Sequence, residues 1–147
     1  MALFNQQHVL RSCVVVALLL FPCRLLADEV LVVIGANSPS ITLSRNQVSD
    51  LFLGKVGALP DGRNAVPVDQ LESNPIREEF YIKVTNKSAP QAKALWAKLY
   101  FTGRGVPPRE GKDSSDVKRI VNSTPGAIGY IERSSLDSTV KVIFVSQ

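Results

Sequence analysis

The residues best placed to do chemistry are Ser73, Asn74 and Arg77. Asn74 precedes Pro75, a pairing that opens a helix, because proline forfeits no hydrogen bond at the first helical position. A helix start presents free backbone N–H groups and the positive end of the helix dipole, and both favour an anion. A hydroxyl from Ser73 and a guanidinium from Arg77, one turn in, would converge on the same point. The chemistry on offer is capture of a small oxyanion such as phosphate, with no bond made or broken. Two plainer roles compete for these side chains: Asn74 as a helix cap, and Arg77 as the partner of Asp69 or Glu78. Glu72 opposes binding, since a carboxylate within about 4 Å of an anion costs on the order of a few kcal/mol near a surface.

Gly103-Arg104-Gly105, with Arg109 and Lys112, forms a second basic loop. Glycine-rich backbone can make an anion nest, although such loops more commonly stay solvated. Catalysis is poorly served. The chain's one His and both Cys (His8, Cys13 and Cys23) lie in the first 27 residues. Residues 28–147 therefore hold no thiol nucleophile, histidine base, disulfide or His/Cys zinc site. Ser, Asp, Lys and Tyr remain without a nucleophile–base pairing, so no catalytic residue, metal site or cofactor is expected. Glu78 and Glu79 diverge by about 100° on a helix and form no acid–base dyad. Arg11 and Arg24 are the cations of the first 27 residues, which leaves 15 of 17 Lys+Arg against 13 Asp+Glu, or +2. That charge, with three scattered Tyr, makes no basic stripe with stacking platforms, so no nucleic-acid partner is expected.

The segments that must position these residues read as follows. Residues 1–27 have a polar start with Arg11, an apolar run from Cys13 to Phe21, and Leu25-Leu26-Ala27. That is the order of a secretory signal, with cleavage expected after Ala27 and export to the periplasm. The run is far short of the roughly 20 residues a spanning helix needs. Residues 28–147 suffice for one core. Glu29 to Ile34 reads as a buried strand closed by Gly35. Ser44 caps a helix to about Leu53, stopped by Gly54. Ala65 to Val68 reads as a short strand, and the helix after Asn74 carries Ile76, Phe80 and Val84 on one face. Ser88 and Gln91 form a capping box for a helix burying Ala92, Leu95, Trp96 and Leu99, with Trp96 in the core. Thr102 to Lys112 reads as a loop. A short helix carries Val117, Ile120 and Val121, and two strands close the chain at Ala127–Ile131 and Val140–Val145. Gly129 is expected to permit close packing at its strand. The alternation argues for α/β layering, with a mixed sheet of about four strands and helices on both faces.

Three stretches in order carry a resemblance. Asp50-Leu51-Phe52-Leu53-Gly54-Lys55 is similar to a Phe-x-Gly-Lys segment, and Pro125-Gly126-Ala127-Ile128-Gly129-Tyr130 to a turn into a strand, of the phosphate-type substrate-binding proteins of ABC transporters. Between them, Val68 to Arg77 sits where that family places a Gly-Ser-Gly-Thr loop opening a helix, followed by Arg and later Phe, here Phe80. The match covers nearly all of residues 29–145. Departures are equally plain: Glu72 and Asn74 replace both loop glycines, the family's other phosphate-holding loop has no counterpart, and only the second of two lobes is represented. The resemblance implies a single lobe of a type II periplasmic-binding-protein-like fold. It implies a non-catalytic binding module for phosphate or a similar small oxyanion, held by Ser73, Asn74 and Arg77. The alternative it leaves open is an envelope adaptor docking its half-cleft on a membrane protein (permease, porin or sensor) without a small ligand.

Overall fold

The computed structural model describes residues 29–147; the expected signal segment, with its cleavage point, lies outside them. The element order is β1 (Val30–Gly35), α1 (Arg45–Phe52), β2 (Val66–Gln70), α2 (Pro75–Phe80), α3 (Ala89–Phe101), β3 (Arg109–Gly111), α4 (Ser114–Ser123), β4 (Ala127–Glu132) and β5 (Val140–Val145). The strands form one mixed sheet in the order β3-β2-β4-β1-β5. β2 runs parallel to both β3 and β4, whereas β1 is antiparallel to β4 and β5.

Every residue of β1 is buried, as its unbroken apolar run requires of a strand covered on both faces. Val30, Val32 and Ile34 point into one layer with α1, α2 and α3, where Phe80 stacks on Tyr130 and Phe52 meets both rings edge-on. Leu31 and Val33 point the other way, onto Val117, Ile120 and Val121 of α4. Helices therefore flank the sheet on its two faces.

Caps set the helix starts as the sequence predicts. Ser44 with Gln47 and Ser88 with Gln91 each form a reciprocal capping box. Gly54 and Gly103 take positive φ just past α1 and α3, where a side chain would be strained. Gly129 lies so close to α4 that an added Cβ would stand 2.5 Å from Val117 Cγ1.

Two local features differ from the sequence expectation. The sheet has five strands, because Arg109–Gly111 pairs in parallel with Val68–Gln70 inside the segment read as a loop. Nothing in Pro107-Pro108-Arg109-Glu110 has strand pattern; the neighbouring strand imposes it. The helix after Asn74 does not continue as a plain α-helix either, since Tyr81–Thr85 forms a π-helical turn ending at Asn86 in the left-handed region. The wider turn buries Phe80, Tyr81, Val84 and Thr85 together.

Candidate functional site

Because β2, β3 and β4 are mutually parallel, their carboxyl ends share one edge of the sheet. There Gln70 leads into the turn Leu71–Asn74 and α2, Gly111 leads into α4, and β4 ends at Glu132. Open α/β sheets take ligands at this edge, where loops and helix starts converge. Ser73 and Asn74 lie on it, and Arg77 lies just beneath.

Ser73 is exposed at the tip of the turn. Asn74 is the N-cap residue of α2 by backbone geometry, yet its side chain makes no capping bond. Its Nδ2 donates instead to Gln70 Oε1 at 3.0 Å and to the Lys112 carbonyl at 2.7 Å, tying this turn to the one that follows β3. Gln70 is fully buried and extends the tie, donating to Ser114 Oγ at 3.2 Å and to the Tyr130 carbonyl at 3.0 Å. Ser114 in turn donates to Glu132. One polar chain thus fastens the edge from α2 to the end of β4. Pattern reading did not single out Gln70, Ser114 or Glu132, since no motif surrounds them and only the fold brings them together.

Arg77 is buried, with its guanidinium turned onto the sheet. Nη2 meets Asp69 Oδ2 at 3.3 Å, and Nη1 donates to the Gln70 carbonyl at 2.9 Å and to Glu110 Oε1 at 3.3 Å. Of the two acids considered from sequence, Asp69 is the partner, while Glu78 accepts from the backbone N–H of Ala89 at the start of α3. Asp69 is itself buried and also accepts from Tyr81 at 2.8 Å, from Tyr130 and from the Gln70 N–H. Burial pushes the Asp69 carboxyl above its ordinary value despite these donors. It likewise drives both tyrosines upward, with the Asp69 charge adding to the effect. For Arg77, burial works against the charge, but Asp69 and its neighbours carry the group above the ordinary arginine value.

Arg77 Nε is buried without a hydrogen-bond acceptor. Arg77 lines a pocket of about 320 Å³ with Glu72, Glu78, Ala89, Pro90 and Lys93. A hollow of about 240 Å³ adjoins it, reaching Trp96, Pro107, Pro108 and Glu110. Glu72 is paired with Lys93 across the mouth, and that pair holds the Glu72 carboxyl below its ordinary value. The loop 103–112 contributes Glu110 to this region, while Arg109 turns away to Thr124 Oγ1. Among the described residues no group of three or more His, Cys, Asp or Glu is placed to hold a metal ion. No helix there is long and apolar enough to cross a membrane.

No family model matches the sequence, and no curated protein sequence does. Solved structures do match the fold. A Clostridium perfringens protein, assigned as a phosphate ABC transporter substrate-binding protein and carrying bound phosphate, aligns at a TM-score of 0.63 and 22% identity; the alignment covers 79% of this chain and 44% of that one. An ABC-type phosphate transport receptor from Vibrio cholerae aligns at 0.61 and 20%, over 79% and 45%. PstS from Borrelia burgdorferi aligns at 0.56 and 12%, over 79% and 46%. The shared fold, over the aligned part of these substrate-binding proteins, is a mixed sheet flanked by helices. This chain spans less than half the length of each of these three structures.

Proposed function

We propose that this chain is a non-catalytic, periplasmic binding module that holds phosphate or a similar small oxyanion at the carboxyl edge of its sheet. The observation that carries this reading is Arg77. Asp69 anchors its guanidinium beside an open pocket, in a fold whose solved examples include a phosphate complex. Ser73, exposed on the adjoining turn and not in the pocket lining, supplies a hydroxyl. The N–H groups of Glu72 and Ser73 are the turn's remaining backbone donors, since those of Leu71 and Asn74 are bonded to the Gly111 and Leu71 carbonyls. Glu110, half exposed at 3.3 Å from Nη1, occupies the outer side of the guanidinium as an internal stand-in for an anion. An entering oxyanion displaces it, with Glu72 kept neutralised by Lys93. With one wall of a cleft the ion stays partly hydrated, so affinity is weak, on the order of millimolar.

Calorimetric titration of phosphate and sulfate tests this. Ser73→Ala should weaken binding, and Glu110→Gln should tighten it by about three- to tenfold by removing the competing carboxylate. Absence of binding up to tens of millimolar would overturn the reading and favour an envelope adaptor without a small ligand. Arg77→Ala is a poor probe of binding, because it also strands Asp69 in the core.

A further inference from the structure

The other end of α3 carries a second feature, about 12 Å along the helix from Lys93 at the pocket mouth, at 1.5 Å per residue. From Phe80 to Arg109 the sequence has no acidic residue and six cations: Lys83, Lys87, Lys93, Lys98, Arg104 and Arg109. Among the described residues, Lys98 and Arg104 enter no ion pair. Between and beside them stand the most exposed large apolar side chains described: Phe101 at 86%, Val106 at 78% and Tyr100 at 58%. Soluble surfaces seldom hold such side chains together without a purpose.

The tip is fixed by its own hydrogen bonds. Thr102 Oγ1 donates to the Lys98 carbonyl at 2.8 Å, the Gly103 N–H to Tyr100 at 3.0 Å, and the Arg104 N–H to Leu99 at 2.8 Å. Gly105 then folds back so closely that a Cβ there would stand 3.1 Å from the Trp96 ring. The aromatic side chains are thus held outward on a rigid base, as a convex corner and not a groove.

We infer that this corner docks on the surface of an anionic lipid membrane. Phe101, Tyr100 and Val106 enter the headgroup boundary while Lys98 and Arg104 meet lipid phosphates. An exposed aromatic corner flanked by the two unpaired cations Lys98 and Arg104 has the chemistry of an interfacial anchor. A second copy of the chain is a poor occupant, because two such corners repel.

Flotation of residues 29–147 with vesicles of phosphatidylcholine alone or with 30% phosphatidylglycerol, at low and high salt, tests this. Binding should require the anionic lipid and disappear at high salt. Lys98→Gln with Arg104→Gln should weaken it about thirtyfold, near fivefold per charge. Phe101→Ser should also weaken it, and none of these exposed changes should alter the melting temperature. Absence of binding to phosphatidylglycerol vesicles, which would leave an acidic protein as the candidate occupant, overturns the inference. So does equal binding by these variants.

Discussion

Arg77 and Asp69 form a buried ion pair, and burial decides what a substitution does there. Removing one partner leaves the other charged in the core, so Arg77→Met should destabilise by about 3–5 kcal/mol in urea unfolding. Glu110 contacts the same guanidinium from a half-exposed position, and Glu110→Gln should stay within about 1 kcal/mol. That contrast makes Glu110 the cleaner probe of the pocket. A second residue-scale prediction concerns acid. Asp137 accepts from Lys118 and then from Thr139, which lowers its carboxyl from 3.8 to about 2. A depressed acid contributes stability above its unfolded value and loses that contribution as pH falls through its folded value. Asp137→Asn should therefore flatten the loss of stability between pH 3.8 and about 2, read from urea midpoints. Asp69 has the opposite sign: its contribution is full below the ordinary carboxyl range and declines as pH rises through its raised value. Carboxyl NMR titration of Asp69 should accordingly find it above the exposed aspartates.

At the scale of elements, α3 is held by Trp96, which is 8% exposed and donates Nε1–H to the Phe52 carbonyl at 2.8 Å. Trp96→Ala should cost about 3–5 kcal/mol, while Trp96→Phe keeps most of the packing and loses chiefly the hydrogen bond, at about 1–2 kcal/mol. The turn into β4 depends on Gly126, whose φ is +76° and where a Cβ would sit 2.1 Å from the Asn64 carbonyl oxygen. Gly126→Ala must strain the turn or push the chain at Asn64 away, and its melting temperature should fall clearly below that of the parent protein. Much of this level is legible in the sequence, because its causes are local. Capping boxes, helix-stopping glycines and the apolar run of β1 each act over a few neighbouring residues. What escapes a sequence reading is imposed from a distance. Arg109–Gly111 becomes a strand only beside Val68–Gln70, and the π-turn at Tyr81–Thr85 answers the packing of two aromatic rings. For the candidate site, spacing alone brings Ser73, Asn74 and Arg77 to one helix start. It cannot reveal that Asn74 spends its amide on Gln70 and Lys112, or that Glu110 arrives from 33 residues away to face Arg77.

For the molecule as a whole, both apolar layers are built on the one strand β1, through Val30, Val32 and Ile34 on one face and Leu31 and Val33 on the other, so neither can come apart without exposing the other. Urea unfolding followed by Trp96 fluorescence and by far-ultraviolet circular dichroism should give one coincident transition. A ligand held by the folded edge and not by the unfolded chain then stabilises the entire unit by RT ln(1 + [L]/Kd). With Kd of about 5 mM, 50 mM phosphate adds about 1.4 kcal/mol, or roughly 4–7 °C of melting temperature at this chain length. Phosphate and sulfate also stabilise proteins by exclusion from their surfaces, so a rise alone decides nothing. The two causes differ in shape: exclusion grows steadily with concentration, whereas a site gives a rise that flattens to a logarithm above Kd. They differ in residue dependence too, because Ser73→Ala removes a site contact and leaves exclusion untouched. The expected result is a curved phosphate dependence that becomes shallower and steadier in Ser73→Ala and steeper at low concentration in Glu110→Gln. Identical straight lines in all three proteins would show that the edge holds no oxyanion.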